Sequence, residues 1–252
     1  MNKFLQYIKA NITKAPADVE RRGLGQWFQI LEERFMSLFW GNLITMLCLF
    51  PCAVCLFFYK NTRDWLSLAG ALLSFAAAAP AISCLFFLCM QAIRGNAIWI
   101  WSSFLESYRR DAKKAIPLGL LLGVLWAGFF HSLRLLFGTS EDLNLTAALM
   151  LAVAGYFLAG FSFLSFLQLA AVELPFHGVL RNGLLLIFAG KGRSFALSLF
   201  VLVLAVLGDW YGELAFFVLL IGVLAICVLT GEMIFFPVFE ELFLYRDEDD
   251  AV

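Results

Sequence analysis

Six long apolar runs constrain this chain more than any other feature of its sequence. They cover approximately residues 35–59, 65–93, 116–137, 143–172, 194–209 and 214–236. A helix needs roughly 20 apolar residues to cross the hydrocarbon core of a bilayer, and only the fifth run is shorter than that. The runs are continuous rather than alternating, which favours helices over the strands of a membrane barrel. The sequence therefore predicts an all-α, polytopic transmembrane helix bundle with about six spans.

The composition excludes a soluble domain. Of the 252 residues, 62% are apolar and 15% are charged, and the mean hydropathy is +0.87. Soluble domains are about 45–50% apolar and about 25% charged, so this chain carries more apolar surface than a soluble core hides. We expect a transmembrane domain over residues 35–243, preceded by a cytoplasmic or interfacial segment (1–34) and followed by an acidic tail (244–252).

The distribution of Lys and Arg predicts the orientation. Six of these residues precede the first span, five lie in the connection 94–115 and three lie in the connection 175–193. The connections on the other side contain only Lys60 and Arg63. Basic residues are enriched on the cytoplasmic side of membrane proteins. We therefore expect a multi-pass protein of the cell membrane with both termini in the cytoplasm.

The connection WIWSSFLESYRRDAKK (99–114) has the spacing of an amphipathic helix, with apolar residues at steps of three and four. Its basic positions are Arg109, Arg110, Lys113 and Lys114. Residues 4–12 and 180–193 show weaker forms of the same pattern. Such helices can lie at the interface and attract an anionic inner leaflet. The same basic surface could instead dock a membrane or cytosolic protein partner. Nothing in the sequence indicates binding to nucleic acid.

Two segments resemble a known family. They read FWGNLITMLCLFP (39–51) and AAPAISCLFFLCMQAIRGNAIWIWSSFLESYRRDAKKAIPLG (78–119). The positions that carry the likeness are Asn42, Leu43, Pro80, Ala81, Arg94, Gly95, Phe104 and Tyr108. In their order, over about residues 35–120, they resemble the YesL-like bacterial membrane proteins. The resemblance implies a polytopic protein of uncharacterised function, often encoded beside genes for carbohydrate uptake, whose partner could be a carbohydrate transporter. It implies no catalytic residues.

Several residues within the first three spans are expected to shape the bundle. Asn42 needs a polar partner, which a neighbouring helix, a substrate or interfacial water could supply. Pro51 and Pro80 each remove a helical hydrogen bond and are expected to kink their spans. Kinked spans can line a cavity. Gly119 and Gly123 form a GxxxG pair that allows two helices to approach closely.

Charged and titratable residues near the span ends are the other candidates for function. His131 and Arg134 lie three residues apart near the outer end of the third span. Arg134 is expected to extend outward or to pair with Glu141 or Asp142.

Two glutamates lie near inner span ends. Glu173 precedes Pro175 at the end of the fourth span, and Glu232 precedes Pro237 in the sixth. At such boundaries a glutamate is expected to meet water or an interfacial arginine. A proton or substrate relay is the alternative.

No pattern predicts an enzyme, a cofactor or a metal site. The six cysteines all lie within apolar runs, where cysteine behaves as a small apolar residue. Cys48, Cys52 and Cys55 have the spacing of an iron–sulfur motif but lie inside a span with no nearby charge. Two functions remain. A non-enzymatic accessory or regulatory protein linked to carbohydrate uptake predicts a packed bundle without a sizeable polar cavity. A small-molecule transporter, or the substrate-binding membrane subunit of one, predicts a water-accessible cavity near the midplane, lined by polar groups.

Overall fold

The structure is a computed structural model that describes residues 24–96, 100–138, 145–172, 174–212, 216 and 218–244. Within these ranges the regular elements are all helical. They are α1 (Leu24–Thr62), α2 (Trp65–Ile93), α3 (Ile100–Gly138), α4 (Leu145–Ala171), α5 (Phe176–Ala189), α6 (Lys191–Tyr211) and α7 (Leu224–Leu244), with a π-helical segment (Leu219–Val223) directly before α7. The chain is thus an all-α polytopic bundle, as its apolar runs predict.

Within the described residues, six helices are long and apolar enough to cross a membrane. They are α1, α2, α3, α4, α6 and the helical stretch Leu219–Val238 that includes the π-helical segment. The shorter α5 lies between α4 and α6 and buries Val179, Leu186 and Ile187. The amphipathic pattern at 4–12, Glu141, Asp142, Glu173 and the tail after residue 244 all lie outside the described residues.

The basic connection is part of α3 rather than a separate interfacial helix. α3 begins at Ile100 and continues through Pro117 to Gly138. Its first half packs on α2, since Phe104 is buried and its backbone oxygen accepts a hydrogen bond from Cys84 Sγ at 3.3 Å. An amphipathic helix can bury its apolar face against protein as well as lipid. Here α2 provides that apolar surface.

Contacts between distant residues define the two ends of the bundle. At the N-terminal face, where α1, α3 and α6 begin, Trp27 Nε1 donates to Thr230 Oγ1 at 3.1 Å. At the opposite face, where these three helices end, Lys60 and Arg134 both contact Asp209. Consecutive long helices therefore run in alternate directions.

The half of the bundle near the N-terminal face is the packed half. It includes α2 from Ala76 onward, where most side chains are buried. Gly119 explains how closely α3 approaches α2: a Cβ at this position would lie 2.5 Å from Ala79 Cβ and 3.1 Å from Ala76 Cα. Pro80 is buried next to this contact, whereas Pro51 is exposed, and both lie inside helices that continue past them.

Candidate functional site

A cavity of about 1260 Å³ lies in the other half of the bundle, toward the opposite face. We call this the open half; it comprises residues 50–62 of α1, 124–138 of α3 and 205–211 of α6, with the adjoining part of α2. On α3 the cavity extends from Val124 to Arg134, which is about 15 Å along the helix axis. A volume of this size is at or above the range of typical small-molecule sites.

The walls of the cavity are mainly aromatic and aliphatic. Their large apolar members are Phe50, Val54, Leu56, Phe57, Trp65, Leu68, Leu72, Val124, Phe130, Trp210, Phe216 and Leu219. Polar side chains are fewer and lie toward the helix ends, at Tyr59, Lys60, Asn61, His131, Arg134, Asp209 and Tyr211. An apolar pocket with a few convergent polar groups is typical of sites that bind small molecules.

Three of these polar residues form a charged cluster, which consists of Lys60, Arg134 and Asp209. Lys60 Nζ and Arg134 Nη2 contact the same carboxylate oxygen, Asp209 Oδ1, at 2.9 and 2.7 Å. Lys60 Nζ also donates to the backbone oxygen of Asp209 at 2.9 Å. The side chains of the two cations remain 35% and 32% exposed. Two cations share one carboxylate, so the cluster carries one positive charge in excess.

The helix ends explain why two cations lie here. Lys60 is in the last turn of α1, and Arg134 and Asp209 are near the ends of α3 and α6. A helix C-terminus carries partial negative charge, which attracts cations and disfavours a carboxylate. Asp209 is therefore stabilised only because both cations reach it from neighbouring helices. This cluster ties together three helices that separate around the cavity.

The sequence singled out Arg134, which lines this cavity, but not Asp209. The expected partners of Arg134, Glu141 and Asp142, lie outside the described residues, and the contact that the structure gives Arg134 is with Asp209. Asp209 is the last residue of the fifth apolar run, and α6 continues past it to Tyr211, which places it on a helix. The sequence does place one acid, Asp209, at the end of the fifth run and one cation each, Lys60 and Arg134, near the ends of the first and third. That pattern is the feature that could have indicated their pairing.

Asn42 bonds across helices, to backbone groups of the last span. Its Nδ2 donates to the oxygens of Leu219 and Leu220 at 3.0 Å each, and its Oδ1 accepts from the backbone N–H of Ala225 at 3.0 Å. These groups lie on both sides of the break at Gly222, whose φ is 115°. A π-helical segment with a positive φ disturbs the normal backbone ladder, so polar groups there need other partners. Asn42 is completely buried and does not meet interfacial water.

The break in the last span lies next to the cavity. Leu219, whose backbone oxygen accepts from Asn42, also lines the cavity wall. Gly222 packs near Phe39 of α1 and adopts a conformation that glycine reaches without a steric penalty. Asn42 and the π-helical segment thus mark the boundary between the open half and the packed half.

Glu232 lies deeper than its position near a span end suggested. α7 continues to Leu244, and Glu232 is only 1% exposed. Neither carboxylate oxygen has a hydrogen-bond partner among the described residues. Ala225 lies two turns earlier on the same helix face and contacts Cys89 of α2. Glu232 therefore faces the end of α2 within the packed half, where Arg94 follows the last residue of α2 and its charge acts on the carboxylate. Glu173, the other candidate glutamate, is outside the described residues.

The basic connection divides into two kinds of residue. Arg109 and Lys113 are exposed, and Lys114 is partly so. Arg110 instead donates to both oxygens of Asp111 at 2.8 and 2.9 Å and lies over the Phe87 ring at 5.2 Å.

The partner of Arg110 is itself tied to α2. Asp111 is buried and accepts from Ser83 Oγ at 3.0 Å. Arg110 is thus part of the packing between α3 and its neighbours. Only the other three basic side chains face outward.

In the described part of the chain, no group of side chains is arranged to bind a metal, and the three cysteines of α1 differ in exposure. No cluster of three or more His, Cys, Asp or Glu residues there could hold a metal ion. Cys52 is buried, while Cys48 and Cys55 are partly exposed, and Cys55 packs against Gly70 of α2.

No protein family, curated protein or solved structure matches this chain. The resemblance of residues 35–120 to YesL-like proteins therefore stays a prediction. The site must be interpreted from its own geometry.

Proposed function

We propose that this protein binds a small molecule in the cavity of the open half, as a small-molecule transporter or as the substrate-binding membrane subunit of one. The cavity itself supports this function: about 1260 Å³, with apolar walls and a charged cluster at its end. The cavity differs from the polar cavity near the midplane that was expected of a transporter, because its walls are mainly apolar and it lies toward one end of the bundle.

The discontinuous last span adds support for a transporter. Substrate sites of many transporters are formed beside broken helices, whose freed backbone groups line the site. Here the break at Gly222 adjoins the cavity through Leu219. Asn42 holds the break in the state seen here by its three hydrogen bonds.

The orientation follows from the basic residues. Arg109, Lys113 and Lys114 lie toward the N-terminal face, while Lys60 and Arg63 lie at the opposite face. The positive-inside rule then puts the N-terminal face and both termini in the cytoplasm of a cell membrane. The cavity would then lie in the outer half of the membrane.

A role as an accessory or regulatory protein is the second candidate, and one surface favours it. Along the first half of α3, Trp101 is 76% exposed and Leu105 is 51% exposed, next to the exposed Arg109 and Lys113. Such a surface suits an anionic leaflet or a protein partner, for which a carbohydrate transporter remains a proposal.

Cavity filling tests the proposed function without knowledge of the substrate. Gly128 lines the cavity, and nothing lies within 4 Å of a Cβ placed there. Gly128→Trp should therefore occupy part of the cavity with no clash at the new Cβ. Gly192→Trp is the matched control, since Gly192 has equal space but lies at the start of α6, away from the cavity.

Each protein would be extracted from native membranes, and its bound small molecules identified by native mass spectrometry. We expect wild type and Gly192→Trp to retain the same compound and Gly128→Trp to lose it. Vesicles containing the wild-type protein should then take up that compound. Retention of the same compound by Gly128→Trp would exclude the cavity as its binding site.

A further inference from the structure

We propose that the ligand of this cavity is an anionic amphiphile, a molecule with one phosphate or carboxylate group on an apolar body. Lys60 and Arg134 would bind the anionic group, and the apolar walls would bind the rest. This inference rests on the proposed binding function and names the substrate class. It depends on three features of the cavity: its charge, its remaining donors and the position of its apolar surface.

The charge of the site selects an anion. Within the charged cluster two cations face one carboxylate, and His131, one turn before Arg134, lines the same cavity. Among the described residues that line the cavity, Asp209 is the one acidic side chain. A cationic ligand would meet an excess of positive charge, whereas an anion would balance it.

The cations retain hydrogen-bond donors for a ligand. Arg134 contacts Asp209 through Nη2, and a guanidinium has further N–H groups directed along its planar fork. The Lys60 ammonium contacts Asp209 Oδ1 and the Asp209 backbone oxygen, which leaves part of its donor capacity. Arginine and lysine together recognise phosphate and carboxylate well, because the fork is bidentate and the ammonium acts as a point charge.

The apolar surface lies on the side of the cavity toward the membrane midplane. Phe50 and Val124 lie ten residues, or nearly three turns, from Lys60 and Arg134 along α1 and α3. A free inorganic anion would leave this surface empty. A neutral carbohydrate would find few polar side chains there, since the polar residues gather at the helix ends. A chain or ring system attached to one anionic group matches both parts of the site.

Binding would be tested with the whole protein in nanodiscs of phosphatidylcholine. The probe is octyl phosphate, compared with octyl glucoside as the neutral analogue and octyltrimethylammonium as the cationic one. We expect octyl phosphate to bind about tenfold more tightly than either analogue, the difference of about one charge-assisted contact.

Three variants assign the effect to the charged cluster. Arg134→Gln should weaken octyl phosphate about tenfold and leave octyl glucoside unchanged. Asp209→Asn removes the neutralising carboxylate but keeps both cations, so it should bind octyl phosphate about fivefold more tightly. A gain of affinity cannot result from misfolding. Arg63→Gln is the control, because Arg63 carries the same charge at the same face but does not line the cavity.

The anionic group could belong to a bilayer lipid or to a free molecule. A competition experiment distinguishes these two sources. If phosphatidylglycerol in the nanodisc displaces octyl phosphate, the ligand enters as a lipid; if it does not, the ligand is a free amphiphile. Either result agrees with the shared chemistry.

Two results would overturn the inference. Equal binding of the three probes, or no response to Arg134→Gln and Asp209→Asn, would refute the anionic class but leave the binding cavity in place. Absence of binding by all three probes, together with no compound retained from native membranes, would refute the proposed function as well.

Discussion

The packed half and the open half are formed by the same helices, yet they differ in how those helices meet. On α3, Leu118 and Leu122 are buried near the close contact with α2, whereas Gly128 further along the helix is exposed, with nothing within 4 Å of a Cβ placed there. On α2, Ala76 and Ala79 lie against Gly119 of α3, while Leu66 and Leu73 are exposed. Small residues allow close approach of helices in a membrane. Where they give way to Phe and Leu, the helices separate and a cavity forms.

The bonds that join the helices also differ between the halves. In the packed half they include direct hydrogen bonds of buried side chains. Examples are the three hydrogen bonds of Asn42 at its boundary and the contact of Ser83 with Asp111. In the open half the charged cluster joins α1, α3 and α6 by ion pairs that stay about a third exposed. The first arrangement stabilises a fixed core. The second leaves charge available to a ligand.

The largest expected effect comes from adding one methyl group to the packed half. In Gly119→Ala the new Cβ would overlap Ala79 Cβ and approach the backbone of Ala76, neither of which can rotate away. We expect a loss of about 3 kcal/mol in the free energy of unfolding, as for an overpacked core. Reversible unfolding in mixed micelles would measure it.

Gly128→Ala on the same helix is the control for the open half. Nothing lies within 4 Å of a Cβ at Gly128, so the change should be within about 1 kcal/mol of zero, or slightly stabilising. Equal losses for the two variants would contradict the difference in packing between the halves.

Removal of the Asn42 amide should have the next largest effect. Asn42→Leu keeps the span apolar but leaves the oxygens of Leu219 and Leu220 and the N–H of Ala225 without their partner. We expect a loss of about 2 kcal/mol, with the topology unchanged. Ser132→Ala is the control in the open half, since Ser132 bonds only to Gly128 of its own helix. Thermal stability of Asn42→Leu equal to that of wild type would show that the break at Gly222 is stable without these hydrogen bonds.

A substitution of Glu232 should stabilise the packed half, whereas the preceding substitutions destabilise it. Its two oxygens have no partner among the described residues, and it is buried. Glu232→Gln has nearly the same shape but cannot carry a charge, so the cost of burying this group falls. We expect the free energy of unfolding to rise by about 1 kcal/mol. A clear loss of stability would instead reveal a partner that stabilises the carboxylate.

The sequence predicted the helical class and the features that depend on local spacing. The apolar runs identified the six long helices, and the GxxxG spacing of Gly119 and Gly123 identified the close contact of α3 with α2. An Asn inside a span was expected to find a partner, and it does so across helices. These inferences need only the helix period and the low polarity of the membrane.

Features that depend on long-range arrangement could not be predicted in this way. The amphipathic spacing of residues 99–114 is the same whether the helix lies on lipid or, as here, on α2. Nothing in the sequence relates Asp209 to Lys60 and Arg134, because their meeting depends on how three helices are placed. Likewise, the depth of Glu232 depends on where α7 ends, and helix boundaries are the least certain part of a sequence pattern.

The smallest effect should come from one ion pair of the open half. Lys60→Gln removes one of the two contacts to Asp209 and leaves the contact from Arg134. Because these side chains are about a third exposed, we expect a loss of less than about 1 kcal/mol at low salt. Near 1 M salt, where screening acts within about 3 Å, the loss should fall toward zero, whereas the loss in Asn42→Leu should not change. A large, salt-independent loss for Lys60→Gln would mean that the charged cluster is as buried in the membrane as Asn42, and that the two halves are held together in the same way.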